Sequence, residues 1–260
     1  MTILDQLADH ARERCRLARQ VLPVGRLRAW ALELPAGDFA FERALKKPGL
    51  SFICECKRAS PSKGLIAPDY PYRRIALEYE AAGADCLSVL TEPKWFLGSS
   101  DHLETIARTV SLPCLRKDFT VDEAMIYEAR LLGASAVLLI VALLEPNQLA
   151  EYLTICDRLG LSALVEAHDP DEVRTALAAG ARMIGVNNRN LRDFTVDPDN
   201  SRRLRELVPP GVLFVSESGV QTAADTAAAR AMGANAVLVG EALMRAPDKT
   251  AKLAELRGKR

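Results

Sequence analysis

One short stretch of the sequence places two opposite charges at the end of an apolar strand pattern. Residues 51–64 begin with alternating apolar residues and then present Glu55, Lys57 and Ser60 before Pro61 ends the pattern. In a strand with a period of two, Glu55 and Lys57 lie on the same face. Burying both charges for a purely structural purpose would cost free energy. We therefore expect this strand to end in a polar cavity, although a structural ion pair at the end of the strand is an alternative.

Polar residues follow most of the other apolar runs in the same way. These run ends carry Glu55 and Lys57, Thr91 and Glu92, Lys117 and Asp118, Glu166, Asn187 and Arg189, Glu217 and Ser218, and Gly240 and Glu241. The run that ends near Ile140 and Val141 offers apolar groups alone. A charge at one strand end is weak evidence, because polar loops begin there. Ammonium, carboxylate and amide groups that converge from most strand ends predict a site for acid–base chemistry.

The spacing of the apolar runs predicts the elements that position these groups. A Gly-Ala pair recurs at Gly83, Gly133, Gly180 and Gly233, after a helical pattern and before an apolar run in each case. Four further runs fall between these, which gives eight strands at a spacing of about 25 residues. The predicted strands are Phe52–Cys56, Cys86–Leu90, Cys114–Leu115, Ala136–Val141, Ser162–Val165, Met183–Val186, Val212–Val215 and Ala236–Val239.

Apolar strands that alternate with helices imply a parallel sheet covered by helices. Eight such units fit a (β/α)8 TIM barrel, in which loops at the carboxyl ends of the strands build the active site. A doubly wound open sheet is the alternative, but it would gather polar residues at one switch point and not around a full circuit. We therefore predict an α/β barrel.

The residues before the barrel predict an N-terminal helical extension. Residues 2–22 have apolar residues at helical spacing, with Thr2 as the N-cap, and Pro23 and Gly25 are expected to end this helix. A short helix is expected around Phe39–Lys46. The predicted organisation is a single domain over 1–260, with the extension at 1–49, the barrel at 50–246 and a C-terminal helix or tail at 247–260.

The amino-acid composition indicates which binding partners and which cellular compartment to expect. Among the 260 residues, Lys and Arg together number 34, and Asp and Glu together also number 34. This balance of charge does not predict binding to nucleic acid or to a membrane surface. No signal-peptide pattern and no apolar run of about 18 residues is present. The six cysteines form no C-x-x-C pair, which favours core thiols in a reducing cytoplasm. The three histidines are dispersed, so no metal site is predicted.

The last two predicted strands indicate an anion site. Ser218 and Gly219 follow the seventh strand, and Gly240 follows the eighth, just before a short helical stretch that begins at Glu241. Glycine allows the backbone to approach a phosphate, and these two loops often bind phosphate in (β/α)8 barrels. A phosphorylated small-molecule ligand is therefore expected.

Several motifs together resemble the indole-3-glycerol phosphate synthase family. They are Glu55-Cys56-Lys57-Arg58-Ala59-Ser60-Pro61-Ser62, Leu90-Thr91-Glu92, Phe96-Leu97-Gly98-Ser99, Leu115-Arg116-Lys117-Asp118-Phe119, Glu166-Ala167-His168, Gly185-Val186-Asn187-Asn188-Arg189-Asn190-Leu191 and Ser216-Glu217-Ser218-Gly219. With the helical extension, they cover nearly the whole chain. The arginine-rich first helix and residues 23–49 match least well.

The resemblance implies a carboxy-lyase of tryptophan biosynthesis. Enzymes of this family close the ring of 1-(2-carboxyphenylamino)-1-deoxyribulose 5-phosphate, release CO₂ and water, and yield indole-3-glycerol phosphate. No metal and no organic cofactor are required, because the anilino nitrogen can push electrons into the ring. The family also implies that the extra N-terminal helices cover the barrel mouth. A monomer is expected, and a complex with another enzyme of the tryptophan pathway is possible.

Roles carried over from the family are assigned to residues of this sequence. Lys117 is expected to be the general acid, and Lys57 to pair with the substrate carboxylate or phosphate side. Glu166 is the first candidate for proton transfer during dehydration, followed by Glu55 and Asn187. The predicted catalytic set is completed by Glu217 and Ser218. The predicted substrate contacts are Ser60, Phe96, Phe119, Arg189, Gly219, Gly240 and Glu241.

Other interpretations of these residues stay open at the level of sequence. Lys117 could form a Schiff base, as lysines on the strands of aldolase barrels do. Phe96 and Phe119 could be core residues, His168 a loop or helix-cap residue, and Arg189 a partner of neighbouring carboxylates. The alternative functions are another phosphosugar barrel enzyme, such as phosphoribosylanthranilate isomerase or a lysine-dependent aldolase, and a non-catalytic barrel that serves as a binding module.

Overall fold

The computed structural model describes residues 2–190 and 194–258, and its centre is a closed barrel of parallel strands. The barrel strands are β1 (Ser51–Cys56), β2 (Cys86–Leu90), β3 (Cys114–Lys117), β4 (Ala136–Ile140), β5 (Ser162–Ala167), β6 (Met183–Asn187), β7 (Leu213–Glu217) and β8 (Ala236–Val239). Neighbours in the chain are neighbours in the barrel, and β1 pairs with β8 to close it. The prediction of a (β/α)8 barrel is confirmed, and each predicted strand lies within two residues of its observed bounds.

Helices pack around the outside of the barrel and against its two ends. They are α1 (Ile3–Val21), α2 (Val24–Glu33), α3 (Ala40–Leu45), α4 (Tyr72–Ala81), α5 (Ser100–Thr109), α6 (Glu123–Leu131), α7 (Pro146–Leu159), α8 (Pro170–Ala178), α9 (Asp199–Arg205), α10 (Ala223–Ala231), α11 (Glu241–Arg245) and α12 (Lys249–Leu256). The Gly-Ala pairs stop helices as predicted: Gly133 and Gly233 follow α6 and α10 with φ of 85° and 77°. This left-handed conformation favours glycine and turns the chain towards the next strand.

The alternation predicted for the first strand is present in β1. Phe52, Cys54 and Cys56 point outward and pack in the layer between the sheet and the helices. Ile53 points inward and packs in the barrel interior, and Glu55 lies on that same face one step nearer the mouth. The period of two therefore places the charged groups of this strand at one end of the barrel.

The N-terminal extension contains one helix that the sequence pattern did not predict. Helix α1 begins with Thr2 as its N-cap, as expected, and a capping box joins Thr2 to Asp5. Helix α2 follows after only two residues, with Pro23 as its N-cap and Gly25 inside its first turn. Proline is tolerated where a helix begins, so the pair marks a new helix and not the start of an irregular segment.

Helix α3 lies at the amino-terminal ends of the strands, opposite the mouth. Phe41 and Leu45 are fully buried in the barrel interior, and the backbone N–H of Glu42 donates to Ser162 Oγ at the start of β5. Arg182, which precedes β6, donates from Nε and Nη2 to the two carboxylate oxygens of Glu42 at 3.1 and 3.0 Å. The expectation that the extra helices cover the mouth is therefore wrong for α3, which closes the opposite end.

Helix α1 does lie at the mouth. Ile3 and Leu7 line the central cavity, and Arg14 donates to both carboxylate oxygens of Asp118 at the end of β3, at 3.1 and 2.6 Å. The six cysteines are free and buried, as expected of core thiols. None of the helices in the described part of the chain combines the length and the apolar character that a membrane span requires.

Candidate active site

The carboxyl ends of the strands enclose a cavity of about 1020 Å³, a volume that includes its solvent-filled mouth. Every residue proposed from the sequence as catalytic or substrate-binding lines this cavity. They are Glu55, Lys57, Ser60, Phe96, Lys117, Phe119, Glu166, Asn187, Arg189, Glu217, Ser218, Gly219, Gly240 and Glu241. The apolar end of the fourth strand, predicted to carry no polar group, contributes Ile140. The convergence inferred from strand ends is therefore a property of the fold, whereas the individual roles stay predictions.

The pair Glu55 and Lys57 forms one side of the cavity. Lys57 Nζ donates to Glu55 Oε1 at 2.6 Å, and Ser88 Oγ donates to Glu55 Oε2 at 3.3 Å. A Cβ atom on Gly240 would lie 2.5 Å from Glu55 Oε1 and 2.8 Å from Lys57 Nζ. The ion pair therefore requires glycine at position 240. This requirement is separate from the anion site for which the sequence suggested Gly240.

Lys117 lies between two buried carboxylates. Its Nζ is 3.3 Å from Glu166 Oε2 and 3.8 Å from Glu217 Oε2. Burial alone would lower the pKa of Lys117, but the negative charges of Glu166, Glu217 and Glu55 outweigh it and raise that pKa above its ordinary value. Lys117 is therefore an ammonium group in the free site, available as a proton donor or as a fixed positive charge.

The pKa values of the two carboxyl groups beside Lys117 are shifted in opposite directions. Burial would raise the pKa of Glu166, but the charges of Lys117 and His168 and a hydrogen bond from Asn187 hold that pKa well below its usual value. Burial, together with the charge of Glu166, raises the pKa of Glu217 to about 8. At neutral pH the site therefore contains one ionised and one protonated carboxyl group, which is a common arrangement for acid–base catalysis.

Asn187 connects this cluster to the loop after β7. Its Nδ2 donates to Glu166 Oε1 at 3.2 Å, while its Oδ1 accepts from Ser218 Oγ at 2.9 Å and from the backbone N–H of Arg189 at 3.0 Å. Two donors on the oxygen fix the orientation of the amide, so that its NH₂ group faces Glu166. Ser218 holds this position with a φ of 65°, an uncommon conformation for a residue other than glycine.

Two aromatic rings form the apolar wall of the cavity. The ring centroids of Phe96 and Phe119 are 6.1 Å apart with an interplanar angle of 45°. Glu92, one of the strand-end carboxylates, is fully buried and accepts backbone N–H groups of Lys94, Trp95 and Phe96 at 2.9, 2.7 and 3.0 Å. Glu92 therefore shapes the loop that presents Phe96, and does not face the cavity.

Asp118, another strand-end carboxylate, is also structural. In addition to Arg14, it accepts a hydrogen bond from Thr91 Oγ1 at 2.6 Å. Arg14 and Arg116 help to hold the pKa of Asp118 below its usual value against the effect of burial. Its ion pair attaches helix α1 to the rim of the barrel, and so it fixes the part of the mouth that Leu7 lines.

The loops after β7 and β8 form the remaining edge of the cavity. Gly219 has a φ of 89°, and a Cβ atom there would lie 2.9 Å from Val196. Glu241 is held by Arg245 at 3.1 Å and by Lys63 at 3.6 Å. Lys63 belongs to a small hairpin, formed by Ala59–Ser60 and Gly64–Leu65, that the sequence pattern did not predict. This hairpin places Ser60 in the cavity wall.

Comparison with known proteins decides the family. A family model described as indole-3-glycerol phosphate synthase matches residues 4–256. The protein of that name from Ruminiclostridium cellulolyticum is 55% identical over 257 residues, which cover 98% of this chain and 99% of that protein. The one from Lactiplantibacillus plantarum is 50% identical over 255 residues, which cover 98% of each chain.

The chain belongs to the indole-3-glycerol phosphate synthase family. It is therefore an enzyme of this carboxy-lyase family, and neither another phosphosugar barrel enzyme nor a non-catalytic module is favoured. Among solved structures, 3-hexulose-6-phosphate synthase from Salmonella typhimurium aligns with a TM-score of 0.65 at 14% identity, over 80% of this chain and 97% of that one. At that identity the match shows the barrel fold alone.

Two residues near the site of this family member were missed as site residues by sequence reasoning. His168 lies against Glu166 and Glu172, in addition to its expected place in the loop before α8. A Cβ atom on Gly185, within β6, would lie 2.1 Å from Glu217 Oε1. A glycine inside a strand is a recognised sign that another group approaches closely, and this signal was available in the sequence.

Arg189 lines the mouth of the indole-3-glycerol phosphate synthase site. Its Nη1 donates to the backbone carbonyl of Phe194 at 3.0 Å. Leu191, the last residue of the motif that contains Arg189, lies outside the described residues. Within 2–190 and 194–258, no group of three or more His, Cys, Asp or Glu side chains is arranged to hold a metal ion.

Proposed function

We propose that the central cavity converts 1-(2-carboxyphenylamino)-1-deoxyribulose 5-phosphate to indole-3-glycerol phosphate, CO₂ and water. The observation that carries this proposal is the position of Lys117 Nζ, 3.3 and 3.8 Å from the carboxylates of Glu166 and Glu217, in a cavity walled by two phenylalanine rings. The family to which the chain belongs supports the identity of the substrate, and the geometry of the cavity supports the roles assigned to its side chains.

Lys117 is the general acid of the ring closure. The aromatic carbon that bears the carboxylate attacks the ketone carbon, and the ketone oxygen takes a proton as the new bond forms. An ammonium group at the end of a barrel strand can donate that proton and stabilise the developing charge. The negative charge of Glu166 keeps Lys117 protonated until the substrate arrives.

Glu166 is the base of the dehydration. After CO₂ leaves, the hydroxyl group departs as water with one added proton, and one C–H proton is lost to complete the indole ring. Glu166 is ionised and held by Asn187, so it can accept that proton. Lys57 is the second available acid for the departing hydroxyl, and Glu55, its partner at 2.6 Å, is the second candidate for the base.

The substrate binds with its three chemical groups in three parts of the cavity. The aromatic ring lies against Phe96 and Phe119, where the loss of water strengthens the electrostatic interactions nearby. The phosphate lies at the turns of Gly219 and Gly240, with Ser60 and Glu241 nearby on the rim. The substrate carboxylate lies near Lys57 and Arg189.

No organic cofactor and no metal is needed for this sequence of steps. The lone pair of the anilino nitrogen supplies the electrons that expel the hydroxyl group, and protein side chains supply the proton transfers. A Schiff base at Lys117 is the alternative use of this lysine. Treatment with borohydride in the presence of substrate separates the two, because reduction would trap a covalent adduct and inactivate the enzyme. We expect no such adduct.

The experiment that tests the proposed function is a fluorescence assay of indole-3-glycerol phosphate formation. Purified protein, incubated with the substrate without added cofactor and in the presence of a chelator, should form the product. Absence of product under conditions where a known member of the family is active would overturn the proposal. A monomeric cytoplasmic enzyme, with or without another enzyme of the pathway, is our expectation for the assembly and compartment.

A further inference from the structure

Two buried carboxyl groups share one ammonium in this site. Glu166 and Glu217 are 1% and 2% exposed, and both face Lys117. A single ammonium compensates one carboxylate, so the burial of a second negative charge favours a proton on one of the two. The surroundings of each carboxyl group determine which one keeps that proton.

The donors around the two carboxyl groups are distributed unequally. Glu166 Oε1 is 3.2 Å from Asn187 Nδ2 and 3.3 Å from His168 Nε2. Glu217 Oε1 lies over Gly185 and has no hydrogen-bond donor within the part of the chain that the structure describes. One amide donor and one imidazole ring at ion-pair distance stabilise a carboxylate on Glu166, whereas among the described residues Glu217 has no comparable partner apart from the shared lysine.

His168 is fixed in this position from its far side. Its Nδ1 is 3.1 Å from Glu172 Oε2, which also accepts the backbone N–H of His168 at 2.8 Å. The backbone carbonyl of His168 accepts from Asn200 Nδ2 at 3.1 Å. The ring lies between two carboxylates and lines an outer polar cleft, not the central cavity. Any effect on the reaction therefore passes through Glu166.

We infer that His168 is a positioning residue that keeps Glu166 ionised, so that the proton held by the two carboxyl groups lies on Glu217. A charged imidazolium can donate to Glu166 and to Glu172 at the same time, whereas a neutral ring can donate to only one of them. The surroundings of His168, with a carboxylate oxygen within 3.3 Å of each ring nitrogen, favour the charged form of the ring.

The electrostatic environment supports the charged form of this ring. Burial would lower the pKa of His168, but Glu166 and Glu172 raise it to about 10. The ring is therefore cationic throughout the neutral range. The other ionisable groups that face this cluster are Lys117 and Glu217 across the carboxyl pair, and Asp5, Asp169, Arg189 and Asp197 around the outer cleft.

The protonation state can be measured without substrate, in the whole enzyme. Isotope-edited infrared spectroscopy with labelled glutamate follows carboxyl groups through a pH titration. In a Glu217→Gln background, we expect the carboxyl group of Glu166 to titrate about one pH unit or more higher once His168 is replaced by Gln, because a cation 3.3 Å from Glu166 has been removed. A shift below about 0.3 unit would overturn the inference.

Two further variants make this measurement specific. The same His→Gln change at His102, whose ring packs against Tyr72 far from this cluster in sequence, should leave the titration unchanged. Replacement of His168 by Asn, added to the Glu217→Gln background, provides a second neutral side chain if the Gln variant folds poorly. An equal shift in the His102 variant would also overturn the inference.

A kinetic experiment extends the inference and rests on the proposed function. If Glu166 must be ionised to act as a base, His168→Gln should move the acidic limb of kcat/KM upward by about one pH unit, with KM at neutral pH changed less than threefold. Unchanged profiles together with a shifted infrared titration would refute the role of Glu166 as base and leave the inference about His168 standing. An unshifted titration would refute the inference itself.

Discussion

Gly185 provides a test of how closely the site depends on the position of one carboxyl group. Replacement of Gly185 by Ala places a methyl group 2.1 Å from Glu217 Oε1 and 3.0 Å from Leu164 Cδ1. An unstrained carbon–oxygen contact is about 3.3 Å, so the carboxyl group must retreat by roughly 1.2 Å. Glu217 is 3.8 Å from Lys117, and a displacement of that size changes the charge pattern around the general acid.

The expected loss follows from that displacement. A misplacement of about 1 Å in a catalytic group lowers activity by on the order of 100-fold, or about 2.7 kcal/mol of transition-state stabilisation. The added methyl group in a packed interior costs about 1–3 kcal/mol of stability, which a protein of this size can tolerate. We therefore expect a folded enzyme whose kcat/KM, measured by product fluorescence, falls about 100-fold.

Two comparisons make this test specific. Gly25→Ala is the same substitution in helix α2, where a Cβ atom meets no atom within 4 Å, and it should leave activity unchanged and raise stability by up to about 1 kcal/mol. In a Glu217→Ala background, Gly185→Ala should cause little further loss, because the clashing carboxyl group is gone. Activity of folded Gly185→Ala within about threefold of the original enzyme would show that the position of the Glu217 carboxyl group does not limit the reaction.

The remaining predictions concern the far end of the barrel, the pH dependence and the first helix. Phe41→Ala should lower the free energy of unfolding by about 3–5 kcal/mol in urea titrations without a change in KM, since Phe41 is fully buried at the end opposite the cavity; a large KM change at full stability would contradict this. The value of kcat should fall as pH rises through about 8, because ionised Glu217 adds a negative charge beside Lys117 and makes it a weaker acid. Glu217→Gln should remove this alkaline limb, and an unaltered limb would exclude Glu217 as its origin. Deletion of residues 2–22 should raise KM while the barrel stays folded, since Ile3 and Leu7 line the cavity. An unchanged KM would show that α1 does not help to bind substrate.

Much of the barrel could be predicted because its signals are local. The alternation in β1, the apolar strands and the glycines that stop helices all follow from neighbouring residues. Helix α2 was missed because proline and glycine close together usually end a helix, whereas here Pro23 begins one. The location of α3 depends on contacts between Glu42 and Arg182, which are 140 positions apart, and no local pattern contains that information.

The candidate site also combines features that the sequence predicts with features that depend on distant contacts. Barrel topology brings strand ends together, so Lys117, Glu166 and Asn187 could be placed in one cavity from their positions alone. The structural use of Glu92, whose carboxylate accepts three backbone N–H groups, could not be distinguished in sequence from a catalytic carboxylate. His168 could be placed only after its ring and Glu166 were seen 3.3 Å apart, because its side-chain direction is set by Glu172 in the following helix.

The role that we propose for Lys117 is to supply the proton for ring closure. Its most direct test is the rate of a single turnover in Lys117→Ala, with substrate affinity measured separately by titration. We expect a loss of about 10²–10⁴-fold in the rate, with binding weakened far less, because Lys117 acts on the reacting oxygen and other groups hold the phosphate and ring. A rate within about tenfold of the original enzyme, or a loss that lies wholly in binding, would contradict it.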